Sequence, residues 1–268
     1  MTLTVAIAGL GAIGMVVARR LDAGMPGLAL AAVAGRDMEK TRAAVAGFRV
    51  APPVMDAARL GEVAEIVVDC APGPQLGAIG EPALARGRIF VTVNAAILLD
   101  RLDLVDKARA GGGRIIVPTG GLLGFDAVRA AAQGKVERVT MVTRKPPQGL
   151  AGAPYLAANG IDVMAMREKT RIFAGSAREA ARGFPANVNV AAALSLAGIG
   201  ADATRVEIWA EPGSTRNTHT IEVEAEAARF TMTIENVPSA ENPRTGRLTP
   251  LSVLACLEGL VSPLRVGS

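Results

Sequence analysis

From Leu3 to Val117, short apolar runs alternate with stretches in which apolar positions recur every three to four residues. The runs Leu3 to Ala8, Leu28 to Ala34, Glu65 to Cys70, Ile89 to Val93 and Arg114 to Val117 read as strands. Between them, Ile13 to Ala23, Asp37 to Ala46, Pro74 to Arg86 and Leu102 to Ala110 read as helices. Ile66-Val67-Val68 and Ile115-Ile116-Val117 lack the polar alternation of a half-exposed strand, as do parallel strands covered on both faces. Strand and helix alternating in this way predict an α/β fold, a doubly wound parallel sheet.

Beyond Gly120-Gly121 the pattern changes. A helix is expected over Phe125 to Gln133, then a strand from Val136 to Arg144, closed by Lys145-Pro146-Pro147 because proline cannot continue a ladder. A loop and two helices lead to three alternating strands, Thr204 to Ala210, Thr218 to Ala225 and Arg229 to Glu235, with Pro212-Gly213-Ser214 turning between the first two. This predicts a second, α+β domain: a mostly antiparallel sheet with helices on one side, covered by a helix over Val188 to Leu196. The expected division is residues 1–120, 121–245 and a C-terminal segment 246–268, whose helix, about Leu251 to Leu260, packs back on the first domain.

Composition narrows the function classes. Of 268 residues half are hydrophobic, enough for a large core without disulfides or structural metal. The net charge of +4 is scattered, with no basic run interleaved with aromatics, which argues against nucleic-acid binding. Cys70 and Cys256 lie far apart and outside any Cys-x-x-Cys pair, so neither a disulfide framework nor a metal site is expected. The first residues lack a basic leader, and the longest apolar stretch, Val188 to Ala201, falls short of the ~20 residues a membrane span needs. A cytoplasmic protein with no membrane association is expected.

Gly9-Leu10-Gly11-Ala12-Ile13-Gly14 follows the first strand and opens the first helix, the context of a dinucleotide-binding, or Rossmann, turn. Gly9 permits the tight turn, Gly11 a close approach of backbone to pyrophosphate, and Gly14 the packing of helix on strand; Ala12 and Ile13 bring the helix N-terminus to the phosphates. The second strand ends in Gly35-Arg36-Asp37. Arg36 is placed to pair with the 2′-phosphate of NADP, so either NADP or NAD is admitted; the competing reading makes Arg36 a loop charge and Asp37 a helix cap.

The chain has one histidine. With period two, His219 shares a sheet face with Asn217, Ile221 and Val223, while Thr218, Thr220 and Glu222 point the other way. An imidazole aimed at an apolar face is either a satisfied core residue or a proton-transfer group; a lysine, a carboxylate or Tyr155 would be its competitors for the second role.

The glycine turn, Thr143-Arg144-Lys145-Pro146-Pro147, Phe184-Pro185-Ala186-Asn187-Val188-Asn189-Val190, Asn217-Thr218-His219 and Glu241-Asn242-Pro243-Arg244-Thr245-Gly246 together resemble the L-aspartate dehydrogenase family, in order and over nearly the whole chain. The resemblance implies an oxidoreductase with a Rossmann domain, a second domain and a homodimeric assembly. Its members interconvert L-aspartate with iminosuccinate, or oxaloacetate plus ammonia, using NAD or NADP. It implies His219 as the catalytic residue with Asn217 beside it in the substrate pocket. The nicotinamide side falls to Asn189, Asn187, Gly121 in the Pro118-Thr119-Gly120-Gly121 turn, and Ala71 and Pro72. Asn187 is otherwise a helix N-cap. A dicarboxylic substrate calls for cationic or hydroxyl anchors, for which Lys145, Arg144, Arg216 and Thr119 are the candidates. The alternatives are a two-domain reductase of the dihydrodipicolinate reductase or homoserine dehydrogenase kind, and a non-catalytic NAD(P)-sensing regulatory protein.

Overall fold

The structure, a computed structural model, describes residues 2–185, 187–239 and 246–267. Contacts divide the chain into two compact units, Met1–Pro118 with Thr249–Arg265, and Thr119–Leu248 with Val266–Ser268.

In the first unit, β1 (Leu3–Ala8), β2 (Leu28–Ala34), β3 (Ile66–Asp69), β4 (Ile89–Thr92) and β5 (Arg114–Ile116) form one sheet in the order β2-β1-β3-β4-β5. Every pairing is parallel. Alternate residues feed two cores. Ala6, Ala8, Val67 and Phe90 pack on one face with Leu76, Ile79, Leu84 and Leu104; Val5, Ile7, Ile66, Val68 and Val91 pack on the other with Val17, Ala18 and Leu21. Burial on both faces is why these strands read as unbroken apolar runs. The second face is completed by Val253 and Leu257 of the helix Leu248–Val261, so the end of the chain closes a core begun by its first strand. The strand order reverses direction between β1 and β3, and in open parallel sheets the crevice outside the carboxyl ends at such a point is where ligands bind.

In the second unit, β6 (Val136–Lys145), β7 (Thr170–Ser176), β8 (Arg205–Ala210), β9 (Asn217–Ala225) and β10 (Arg229–Asn236) form a sheet ordered β10-β9-β6-β8-β7, antiparallel except where β6 meets β8. Sequence reading expected four strands and missed β7. It is an edge strand whose register shifts between Arg171 and Phe173, and the shift breaks the period-two alternation that announces a strand. The inner face carries Val139, Met141, Ile221 and Val223, all buried. The helices Phe125–Ala131 and Asn189–Ala197 lie on this side: a Cβ on Gly198, just after the second, would stand 3.1 Å from Val128 and 3.9 Å from Val139. The outer face carries Thr140, Val142 and Arg144 of β6 opposite Glu222, Thr220 and Thr218 of β9. Among the described residues, no helix is long and apolar enough to cross a membrane.

Candidate active site

The first unit holds the glycine turn. Gly9 has φ +86°, and a Cβ there would lie 2.6 Å from Ala71 N; a Cβ on Gly14 would overlap the carbonyl oxygen of Gly9. Gly11 differs: nothing lies within 4 Å of where its Cβ would be. Two of the three glycines are therefore required by the protein's own packing, whereas the third keeps space clear at the start of the helix Gly14–Asp22, whose first turn has no acidic residue. The open position at Gly11 leaves room for an anion at those amides, so the turn fits a pyrophosphate.

The turn after β3 presses on Gly9 and is held by a buried polar cluster that sequence reading missed. Asp69, Thr92 and Asn94 are all buried. The Asp69 carboxylate accepts hydrogen bonds from Thr92 Oγ1 (2.8 Å), Asn94 Nδ2 (2.9 Å) and Ala71 N (3.1 Å), and Asn94 Nδ2 also donates to Ala71 O (2.9 Å). Burial pushes the Asp69 carboxyl above its ordinary pKa, against these bonds. Ala71 thus has its N–H and C=O engaged within the protein. At the end of β2, Asp37 caps the helix Met38–Val45 by accepting from Lys40 N (3.1 Å), while the Arg36 side chain is exposed.

The second unit gathers its chemistry at one end of the inner sheet face, where β6 ends, β9 begins and β10 ends. Register places Thr143 opposite His219, Ile234 opposite His219 on its other side, and Asn236 opposite Asn217. Thr143, Lys145, Asn187, Asn217, His219 and Asn236 are all buried. His219 Nδ1 lies 3.1 Å from Thr143 Oγ1, and among the described residues Nε2 makes no hydrogen bond. Burial, helped by the positive charge of Lys145, pushes the His219 pKa down to about 3, so the imidazole is neutral at physiological pH. Lys145 Nζ donates to Asn187 O (3.1 Å) and to Asn187 Oδ1 (3.3 Å). Asn236 Nδ2 donates to Gly121 O (2.6 Å), tying the Thr119 to Leu122 turn to the same strand end.

Several expected residues lie elsewhere. Asn187 is not a helix cap: Val188 holds that position, without a side-chain cap, and the oxygens of Asn187 face Lys145. Arg216 and Arg144 are not gathered with His219. They line a 420 Å³ cavity with Glu211, Thr218 and Glu235, and register puts Arg144 and Thr218 on the outer sheet face. Tyr155 packs its ring against Phe173 and Phe184, with centroids 5.2 and 5.3 Å away, as part of an aromatic core. Asn189 opens the helix Asn189–Ala197. Thr143 stood only as part of a motif and had no role, because threonine is an ordinary strand residue; the β6 to β9 register reveals it as the partner of His219. The segment 241–245 of the C-terminal motif, and Ala186, lie outside the described residues.

Comparison with known proteins identifies this architecture. The family described as "Aspartate dehydrogenase, C-terminal" matches residues 126–260. The L-aspartate dehydrogenase of Bradyrhizobium diazoefficiens is 58% identical over 266 residues, covering 99% of this chain and 94% of that protein. The chain belongs to the aspartate dehydrogenase family. L-aspartate dehydrogenase 3 of Bordetella bronchiseptica is a second relative of this family, 51% identical over 99% of this chain and 98% of its own. Residues 9–118 match the family described as "Homoserine dehydrogenase, NAD binding domain", in keeping with the parallel sheet and its glycine turn. The crystal structure of aspartate dehydrogenase from Thermotoga maritima has the same fold, with a TM-score of 0.76 and 23% identity over the whole of both chains.

Proposed function

We propose that this member of the family catalyses the NAD(P)-dependent oxidative deamination of L-aspartate to iminosuccinate, which hydrolyses to oxaloacetate and ammonia, and the reverse reductive amination. The observation that carries the reading is the neutral His219, held by Thr143 at one end of the inner face beside the buried cation Lys145. In the first unit, the amides around Gly9, Gly11, Ala12, Ile13 and Gly14 hold the dinucleotide pyrophosphate and Arg36 its adenosine end, with Ala71 and Pro72 at the carboxyl end of β3. Gly121 and Asn189 are assigned to the nicotinamide end. The cofactor, when bound, supplies the two-electron oxidation or reduction at the substrate carbon. Lys145 binds a substrate carboxylate as a charge-assisted donor, with Thr119 as a hydroxyl donor and Asn217 as an amide beside His219. The Thr143 contact allows the tautomer a base needs, in which Nδ1–H donates to Oγ1 and the Nε2 lone pair takes the proton from the substrate ammonium or from the water that attacks the imine. The substrate's negative charge offsets Lys145 and raises the basicity of Nε2 when it is wanted. Arg216 has no part in this site. Mixing the protein with oxaloacetate, ammonium and NADPH or NADH should consume the reduced cofactor; absence of consumption with both sinks the reading.

Arg36 favours NADP as well as NAD. Losing a charge-assisted contact to the 2′-phosphate costs ~1.5 to 3 kcal/mol, so Arg36→Ala should lower the ratio of NADP to NAD efficiency by roughly 10- to 100-fold. A ratio that moves less than twofold makes Arg36 a loop charge.

The protein acts as a homodimer, through the outer face of the second sheet. Among the described residues two buried polar atoms there, Thr140 Oγ1 and Arg144 Nε, have no hydrogen-bond partner, and such groups call for one. Light scattering at micromolar concentration should give twice the 27.5 kDa chain mass, and particles of one chain mass only would overturn this. Two free cysteines suit a reducing cytoplasm.

A further inference from the structure

The lysine at the end of β6 is held in an unusual way. Lys145 is 3% exposed, and two of its N–H donors are directed at a single residue, to the main-chain oxygen of Asn187 at 3.1 Å and to its side-chain oxygen at 3.3 Å. Asn187 is itself 7% exposed, and its own N–H donates to Phe184 O at 2.8 Å. Phe184 in turn is fully buried, with ring centroids 5.3 Å from Tyr155 and 5.6 Å from Phe173. The chain of support therefore runs from an aromatic core, through one turn, to an ammonium group.

The chemistry of that support matters. A lysine side chain is a compact charge on a flexible four-carbon stem, and an anchor that swings binds a carboxylate poorly and in no fixed direction. An amide oxygen takes up N–H groups and restricts the swing without cancelling the charge; an aspartate in its place would form an ion pair and spend the charge before substrate arrives. We propose that Asn187 is a positioning residue for Lys145: its two oxygens aim the ammonium, without themselves neutralising it, at the substrate carboxylate beside His219. This replaces the cofactor-contact and helix-cap roles expected for Asn187 from sequence. It rests on the reading of Lys145 as the substrate anchor.

Three variants in the intact protein test it. Asn187→Ala removes one of the two acceptors and should raise KM for aspartate by roughly tenfold, as loss of one charge-assisted hydrogen bond does, with kcat within about threefold and Kd for NADPH within about twofold. In a Lys145→Ala background the same substitution should add less than about twofold to KM, since neighbours acting through one group are not additive. Asn187→Asp should raise KM further than Asn187→Ala. It should also raise the pKa of His219, read in the protein without substrate or cofactor by NMR of the chain's one histidine, because a carboxylate there cancels the Lys145 charge. The proposal is overturned by a Kd for NADPH that rises tenfold in Asn187→Ala, which would return Asn187 to the cofactor. It is equally overturned by a KM effect of full size in the Lys145→Ala background, which would make the role merely structural. If wild-type protein shows no aspartate turnover while the His219 pKa still rises in Asn187→Asp, the substrate reading fails and the Asn187 to Lys145 coupling stands. Turnover in the wild type with KM and the His219 pKa unmoved by these changes has the opposite meaning.

Discussion

His219→Ala should lower turnover of aspartate by at least ~100-fold, because a positioned general base contributes about 10² to 10⁴ in rate. Binding of NAD(P)H should change less than twofold, since the glycine turn belongs to the first unit and His219 to the second. The same variant tests the electrostatics. An unfolded chain protonates this histidine near pH 6.5, whereas in the folded state it stays neutral down to about pH 3. Below 6.5 the unfolded state therefore binds a proton the folded state does not, and stability present above that pH is lost as pH falls. The loss is about 1.4 kcal/mol per pH unit, or roughly 2 kcal/mol at pH 5. Denaturant melts at pH 5 and pH 7.5 should show this slope in the wild type and its removal in His219→Ala. Near-normal turnover in a mutant that only melts earlier would falsify the catalytic assignment.

The glycine turn should separate folding from binding. Gly9→Ala sets a side chain at φ +86° and 2.6 Å from backbone atoms that Asp69 and Asn94 hold in place. The conformational cost of ~1 to 2 kcal/mol and the overpacking cost of ~1 to 3 kcal/mol together take a large share of a ~5 to 15 kcal/mol stability. Poorly folded protein, or a fall in melting temperature of roughly 5 °C or more, is expected. Gly11→Ala meets nothing within 4 Å, so its melting temperature should stay within about one degree, yet NADPH binding should weaken at least tenfold because the methyl occupies the space a pyrophosphate needs. A Gly11→Ala protein that melts normally and binds NADPH normally would show that the open space serves no phosphate.

The contrast between these glycines also shows what could be read in advance. Spacing alone marked all three as parts of one motif; which of them the fold requires and which the ligand requires depends on where Ala71 comes to lie, and that is a tertiary fact. Period-two alternation correctly put His219 and Asn217 on the inner face. Applied to β6 it would also have separated Arg144 from Lys145, since adjacent strand residues face opposite ways. Pairing of Thr143 with His219, and of Lys145 with Asn187, could not be read that way, because each joins residues whose register or turn is set by packing. The parallel sheet was legible for the same reason that β7 was not: buried strands carry a strong apolar signal, and a bulged edge strand carries almost none.

The helix Leu248–Val261 bears on how the chain is made. Val253 and Leu257 pack with Val5 and Ile7, so the nucleotide-binding unit is assembled from two separate stretches of the chain, with almost all of the second unit inserted between them. A ribosome delivers the inserted unit before the segment that completes the first one. During synthesis, the second sheet can reach its native state while the parallel sheet still waits with one apolar face uncovered, and a transcript cut short before Val253 yields a protein whose second sheet is complete but whose dinucleotide fold is unfinished.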